Sequence, residues 1–465
     1  MKMLQLALRN LLRNRRRSIA TLLAMMIGLD AILLFGGYSG NVINSMQVGY
    51  VQQRGHLQIQ YKDYFLYGSG NPAAYGIPDY QRIIDAVRKD PELAPMLTMV
   101  TPTLQLGGIA GNFAAGVSKT VIGFGMVVPE QNTMREWTDY GNVNFTKPLS
   151  LTGTSADSAI IGTGVARMLQ LCQPLKVSNC PQVPVTDKPA VGAKDAPADI
   201  AALSDLETPA AGPKTDVTQI EILAANDHGV PNVSALKVVT AENQGLKEFD
   251  DIYLAMHLAQ AQQLIYGKST PKVTAIQIQL HHTDQIPAAR ARIDVLLKSQ
   301  FKTIPLELLD YETLTPIYRQ TIDFFNSIFG FIACLIGVIV LFTVGNTMSM
   351  AVVERTVEIG TLRAVGQRRS GIRLIFVCEG MLLGAAGALL GVTSALLIAT
   401  AINLSGLSWT PPGYVAAYPL QVRVWGDWGL IFGSTLGLTL VAVVSAWWPA
   451  NRASKLNIVD ALRHV

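Results

Sequence analysis

The sequence predicts a membrane protein: four transmembrane α-helices with a large α+β domain inserted between the first and the second. Three observations carry that reading. Of 465 residues, 49% are hydrophobic and only 15% are charged, an unusual balance for a soluble domain. Four apolar runs reach the ~20 residues that a helix needs to cross a bilayer. Lys and Arg gather in short segments on one side of those runs, which sets orientation.

The elements follow in order. Residues 1–18 form a basic cytoplasmic segment holding Lys2, Arg9, Arg13, Arg15, Arg16 and Arg17. The first span is 19–43. Its apolar run exceeds a usual signal-peptide core and no A-x-A site follows it, so it reads as a retained helix. Spans two, three and four cover 322–353, 374–403 and 428–448. Trp425, Trp428, Trp447 and Trp448 bracket the fourth, as interfacial aromatics do. The segment 354–373 carries Arg355, Arg363, Arg368, Arg369 and Arg373, and the tail 449–465 carries Arg452, Lys455 and Arg463. The loop 404–427 has Arg423 alone. Both termini and 354–373 are therefore expected in the cytoplasm, with 44–321 and 404–427 outside. The region 44–321 holds 22 basic and 26 acidic side chains, so the chain's positive excess sits on the cytoplasmic side.

Residues 44–321 alternate strand-like and helix-like stretches. "GHLQIQ", "KTVIGFGMVV", "TQIEIL", "TAIQIQL" and "IPLELL" read as strands. "DYQRIIDAVRKD" places Ile83, Ile84 and Val87 at helical spacing, with Asp79 positioned to cap. "SAIIGTGVARMLQL" and "IYLAMHLAQAQQLIY" pass from strand to helix, and "QIPAARARIDVLLKSQ" is an amphipathic helix. Helix 311–322 runs into span two. The pattern is α+β, with material for two subdomains. Residues 181–216, rich in Pro, Ala and Asp, read as a flexible insertion. The tyrosine-rich stretch 61–80 reads as a loop packed on its own domain.

Cys172 and Cys180 lie in the external region, and in an oxidising compartment such a pair reads as a disulfide. Cys334 and Cys378 fall in or beside spans as inert thiols. "YGKST" at 266–270 echoes a phosphate loop, but Gln262 stands where its first glycine is needed. His281 and His282 lack a ligand cluster nearby in sequence and read as surface histidines. There is no nucleophile elbow, no H-E-x-x-H and no catalytic carboxylate pair. No enzyme site, metal site or bound cofactor is expected in this chain, and no nucleic-acid partner.

Asp30 lies mid-span and Glu379 near the inner end of span three. Intramembrane acids face a bundle interior or water, and here they read as inter-helix hydrogen-bonding groups. "EGMLLGAAGALLG" supplies Gly380, Gly384, Gly387 and Gly391, a flat stripe for close helix packing against the same chain or a second copy. The remaining puzzle is "AVVERTVEIGTLRAVGQRRSGI", charged yet apolar on one face, between two spans. Ile359, Leu362 and Val365 fall at i, i+3 and i+6, one face for a partner's groove, while Arg355, Glu358 and Arg363 can fix register by charge. Position alone leaves this reading level with a helix resting on lipid headgroups.

That segment, continued through "RLIFVCEGMLLGAAGALLG", resembles the signature of FtsX-domain ABC transporter permeases, the group containing MacB and LolC/LolE. "ALRNLLRNRRRSIATLLAMMIG" is similar to the start of the family, and "PANRASKLNIVDALR" to its usual tail. The external stretches "GHLQIQ" and "SAIIGTGVARMLQL" resemble the LolC/LolE branch. The resemblance implies an inner-membrane permease with a periplasmic domain between spans one and two. It also implies a dimer with a second copy or paralogue, carrying cytoplasmic ABC ATPases that bind ATP and Mg. Residues 357–366, ending at Gly366, would be the coupling helix on which the ATPase docks. ATP-driven closure would then be transmitted to the periplasmic domains, to expel or extract a substrate such as a lipoprotein or a periplasmic compound. A periplasmic adaptor or lipoprotein carrier would be a further partner. The alternative within the resemblance is an FtsX-like relay that activates a periplasmic partner such as a cell-wall hydrolase.

Overall fold

The computed structural model describes residues 2–13, 15–141, 148–178, 180, 218–411, 413–414 and 417–457. The insertion expected at 181–216 lies outside the described residues. In chain order the helices of more than one turn are α1 (Lys2–Arg13), α2 (Arg15–Arg54), α3 (Tyr80–Lys89), α4 (Val128–Arg135), α5 (Thr163–Met168), α6 (Leu258–Tyr266), α7 (Ile286–Gln300), α8 (Pro316–Glu354), α9 (Thr356–Ala364), α10 (Arg369–Ser405) and α11 (Trp428–Ser454). The principal strands are β1 (Leu57–Tyr61), β2 (Leu97–Asn112), β3 (Val117–Met126), β4 (Ser158–Gly162), β5 (Gln219–Ala225), β6 (Pro231–Glu242), β7 (Tyr253–His257), β8 (Ala275–Leu280) and β9 (Leu306–Asp310).

The chain divides into two units. One comprises Met1–Met46, Pro316–Trp409 and Tyr418–Val465, and the other Gln47–Thr315 with Thr410–Ala417. The second unit is built on one nine-stranded sheet. The pairings β3–β7–β4–β6–β5–β2 return to β3, so six strands close a ring. β8, β1 and β9 extend from the other half of β2. The two subdomains that the alternating pattern allowed therefore share a strand, and one continuous core joins them through Leu57, Leu104, Leu106, Val121, Ile161 and Ile276. Closing the ring removes the exposed edges that these six strands would otherwise carry, and β9 remains the edge of the extension. Each fully buried Leu or Ile in this core contributes about 1.5–3 kcal/mol of transfer free energy.

Two polar features fix local geometry in this unit. A helix leaves its last four carbonyls without intrahelical partners. The last four of α2 are Val51, whose carbonyl also accepts from Gly55 N–H at 2.9 Å, and Gln52, Gln53 and Arg54. They accept from the side-chain amides of Gln279, Gln131, Gln277 and Gln58 at 3.3, 2.9, 3.2 and 2.9 Å. At the start of α5 the fully buried Asp250 carboxylate accepts from the backbone N–H groups of Thr163 and Gly164 at 3.0 and 2.8 Å. It also accepts from Gln244 N at 3.1 Å. Asp79 precedes α3 as expected, but its side chain makes no cap hydrogen bond and its backbone is left-handed, φ 48°. In the tyrosine-rich stretch, Tyr64 and Tyr80 are buried while Phe65, Leu66 and Tyr67 are exposed.

The first unit is helical. α2, α8, α10 and α11 are each long and apolar enough to cross a membrane. Met25 and Leu29 of α2, Val340 and Val344 of α8, Leu383 of α10 and Ala446 of α11 form its core. Their outward faces remain apolar, with Phe331, Phe342, Leu397 and Leu436 exposed. Helices hydrophobic all round are those of membrane spans. The glycine stripe meets neighbours of the same chain. A Cβ on Gly380 or Gly384 would lie 2.6 Å from Ala446 or 3.1 Å from Ala442 on α11. One on Gly387 or Gly391 would lie 2.9 Å from Met25 or 2.8 Å from Leu29 on α2. One helix thus carries two close-approach faces in sequence, one per neighbour.

Candidate functional site

The site is assembled where α8 ends. Glu354 closes the helix, Arg355 breaks it with φ −108° and ψ 18°, and α9 begins at once. Just past the end of α9 stands Gly366, whose φ of 100° would strain any residue with a Cβ. There the N–H of Gly366 bonds the Arg363 carbonyl at 3.1 Å, and that of Gln367 bonds Leu362 at 3.0 Å. A nine-residue helix is thereby held between two sharp breaks.

The spacing placed Ile359, Leu362 and Val365 on one partner face, with Arg355 fixing register. The helix is turned differently. Ile359 is 3% exposed and belongs to the core of the helical unit, whereas Leu362 is 40% and Val365 84% exposed. Val357, not anticipated, is exposed beside them. Arg355, four residues before Ile359, points inward with it. Its Nη1 donates to Glu379 Oε1 at 2.8 Å and its Nη2 to the Asn10 carbonyl at 3.1 Å. Arg355 and Ile359 are therefore corrected from surface groups to inward ones: Ile359 joins the core of the helical unit, and Arg355, at the break before α9, is drawn in by Glu379 and the Asn10 carbonyl. The outward face of α9 is Val357, Glu358, Thr361, Leu362 and Val365.

The other charges of the segment have partners in the same unit. Arg363 donates to the carbonyls of Ser454 and Leu456 at 2.9 and 3.4 Å, where a cation offsets the negative end of α11. Glu358 pairs with Arg13 at 2.6 Å and Glu354 with Arg17 at 2.6 Å, both at the surface. Surface pairs of this kind are worth ~0–1 kcal/mol each. Asp30 accepts from Ser394 Oγ at 2.7 Å and links α2 to α10. Glu379 also accepts from Asn10 Nδ2 at 2.7 Å. Asn10 and Ser394 were not singled out by the sequence, and Arg13 and Arg17 only as basic residues that set orientation. Asn10 sits inside "ALRNLLRNRRRS", where its basic neighbours conceal it.

Among the described residues, no group of three or more His, Cys, Asp or Glu is arranged to hold a metal ion. His281 meets Thr98 Oγ1 at 3.0 Å, and His282 meets Asp139 at 2.8 Å. That contact raises the His282 pKa. The glycine of "YGKST", Gly267, ends α6. Cys172 and Cys180 form a disulfide.

Residues 328–458 match the FtsX-like permease C-terminal family. That span contains α9, α10 and α11 with most of α8. This part of the chain is thus an FtsX-like permease domain, and the relatives that follow are ABC transporter permeases and MacB proteins. It is 27% identical over 214 residues to the uncharacterized ABC transporter permease MJ1507 of Methanocaldococcus jannaschii, 46% of this chain and 51% of that one. It is 29% identical over 213 residues to the macrolide export ATP-binding/permease protein MacB of Hyphomonas neptunium, 46% of this chain and 30% of that one. To MacB of Escherichia coli it is 28% identical over 200 residues, 43% and 28% of the two chains. The chain spans about half the length, or less, of these relatives. The family match covers Glu379 and Arg355 but not Asn10, Arg13 or Arg17.

Proposed function

We propose that this chain is the permease subunit of a MacB- or LolC/LolE-type ABC transporter. Its four long helices cross the inner membrane of a bacterium, and the unit built on the nine-stranded sheet lies in the periplasm. A separate cytoplasmic ABC ATPase, holding ATP and Mg, docks on α9. Two permease chains pair, and the ATPase's closure is passed to the periplasmic units, which expel or extract a substrate such as a lipoprotein or a periplasmic compound. A periplasmic adaptor or a lipoprotein carrier receives it.

The observation that carries this reading is the outward face of α9. Val357, Leu362 and Val365 are exposed on a helix outside the apolar spans, with Glu358 among them, inside the segment that matches the permease family. An apolar face with a charge at its side is what a helix-in-groove contact needs. The arginines of 354–373 favour the cytoplasm for that helix, and the Cys172–Cys180 disulfide favours an oxidising compartment for the sheet unit.

Leu362→Asp tests it. Burying an unpaired carboxylate in the groove costs several kcal/mol, roughly a hundredfold or more in affinity. The cognate ATPase should co-purify with the wild-type chain in detergent and be lost from the variant, while the helical unit stays folded because Leu362 is half-exposed. Equal co-purification of both would refute docking on α9.

A further inference from the structure

The Asn10–Arg355–Glu379 cluster lies behind α9, out of reach of any docking partner, and nothing in the docking account uses it. Its geometry is specific. Arg355 and Glu379 are both nearly fully buried and paired at 2.8 Å. Asn10 grips both members: its amide donates to Glu379 at 2.7 Å and its carbonyl accepts from Arg355 at 3.1 Å. The distant α1 therefore meets the α8–α9 break and α10 at one ion pair. A cavity of about 20 Å³ adjoins it, lined by Asn10, Arg17, Ser18, Thr347, Arg355 and Glu379. Arg355 Nε is buried with no hydrogen-bond partner among the described residues. The space fits one water, the remaining partner that Arg355 needs.

A buried ion pair is a weak source of stability, since desolvation offsets most of its attraction, and apolar residues of like volume do as well. Its best-attested use is to select one arrangement among several. Here the arrangement selected is the start of α9. Arg355 is the residue immediately before that helix, so fixing its guanidinium fixes where α9 begins and how it is turned. We propose that Asn10, Arg355 and Glu379 are positioning residues for α9, and that α1 is thereby a working part of the coupling apparatus rather than a leader to the first span. This rests on the reading of α9 as the ATPase contact, but the positioning itself is a property of this chain alone.

The surface pair Arg13–Glu358, 2.6 Å apart, reports on it, because it links α1 to α9 without belonging to the cluster. The full-length chain carries Arg13→Cys and Glu358→Cys, with Cys334→Ser and Cys378→Ser to remove competing thiols. It is purified in detergent and treated with a short bismaleimide, and thermal unfolding is followed in parallel. Asn10→Ala should lower the cross-link yield about tenfold or more, the effect of losing one hydrogen bond to a charged group. Glu379→Ala should lower it further, and Glu379→Gln, which still accepts from Arg355 and Asn10, should restore most of it. Wild-type yields in Asn10→Ala and Glu379→Ala, with both folded, would reduce the cluster to packing and overturn the proposal. If Glu379→Ala does not fold, Asn10→Ala alone decides, by the same criterion. No ATPase is present in this assay, so failure of the docking account leaves its result standing.

Discussion

The two units secure the C-terminal ends of their long helices α2 and α11 by different means. In the helical unit the work falls to charges: Arg355 on Glu379 before α9, and Arg363 on the last carbonyls of α11. In the sheet unit the end of α2 is closed by four neutral glutamine amides, each on its own carbonyl. The difference teaches where single substitutions should hurt. A buried charge left alone costs far more than a carbonyl left without an amide. At these ends the helical unit relies on a buried ion pair, and the sheet unit spreads the task over four neutral side chains.

The largest effect should come from splitting that pair. Glu379→Leu leaves the Arg355 guanidinium buried without its carboxylate and should destabilise the helical unit by about 3–5 kcal/mol. Glu379→Leu combined with Arg355→Leu should recover much of that loss in thermal unfolding of the detergent-purified chain. A double variant as unstable as the sum of the two singles would show that the charges do not act as a pair.

Next comes His56 of the sheet unit, the most strongly perturbed histidine among the described residues. Burial pushes the His56 pKa down to about 4, and Asp139 opposes the shift only in part. The geometry agrees, since Leu280 N–H donates to Nδ1 at 3.0 Å and so needs that nitrogen unprotonated. A folded pKa below the unfolded value of about 6.5 means that stability is full above 6.5 and declines as pH falls toward 4. The expected loss is on the order of 3 kcal/mol. Hydrogen exchange of peptides from β1 and β8 should speed up over that window in the wild-type chain and change less in His56→Gln. The same acceleration in both would assign the pH dependence elsewhere.

The smallest effect separates the two modes. Gln131→Leu deprives only the Gln52 carbonyl of its partner and should cost about 1–2 kcal/mol. A loss as large as that from Glu379→Leu would erase the contrast between the units.

Much of this was legible in the sequence, and what was not had physical reasons. The four spans were readable because apolar length is a property of contiguous residues. The strands at 57–61, 219–225 and 275–280 were readable from alternation. β2, the strand that joins the two halves of the sheet, was hidden by Pro102, Gly107, Gly108 and Gly111, residues that argue against a central strand. The glycine stripe was visible, but only the fold showed that it serves two neighbours. Spacing found the apolar residues of α9 and misassigned their direction, since a periodic face does not say which way it turns. The partner of Glu379 was beyond reach, because Asn10 lies 369 residues away and only the fold brings it there.

The central claim, that α9 meets an ATPase through its outward face, is tested most directly by its two opposite sides. A photo-crosslinking amino acid is placed at Val365, 84% exposed, and separately at Ile359, 3% exposed, in the chain co-expressed with its cognate ATPase. Illumination should yield a permease–ATPase adduct from position 365 and none from position 359. Adducts absent at 365, or equal at the two positions, would contradict the claim.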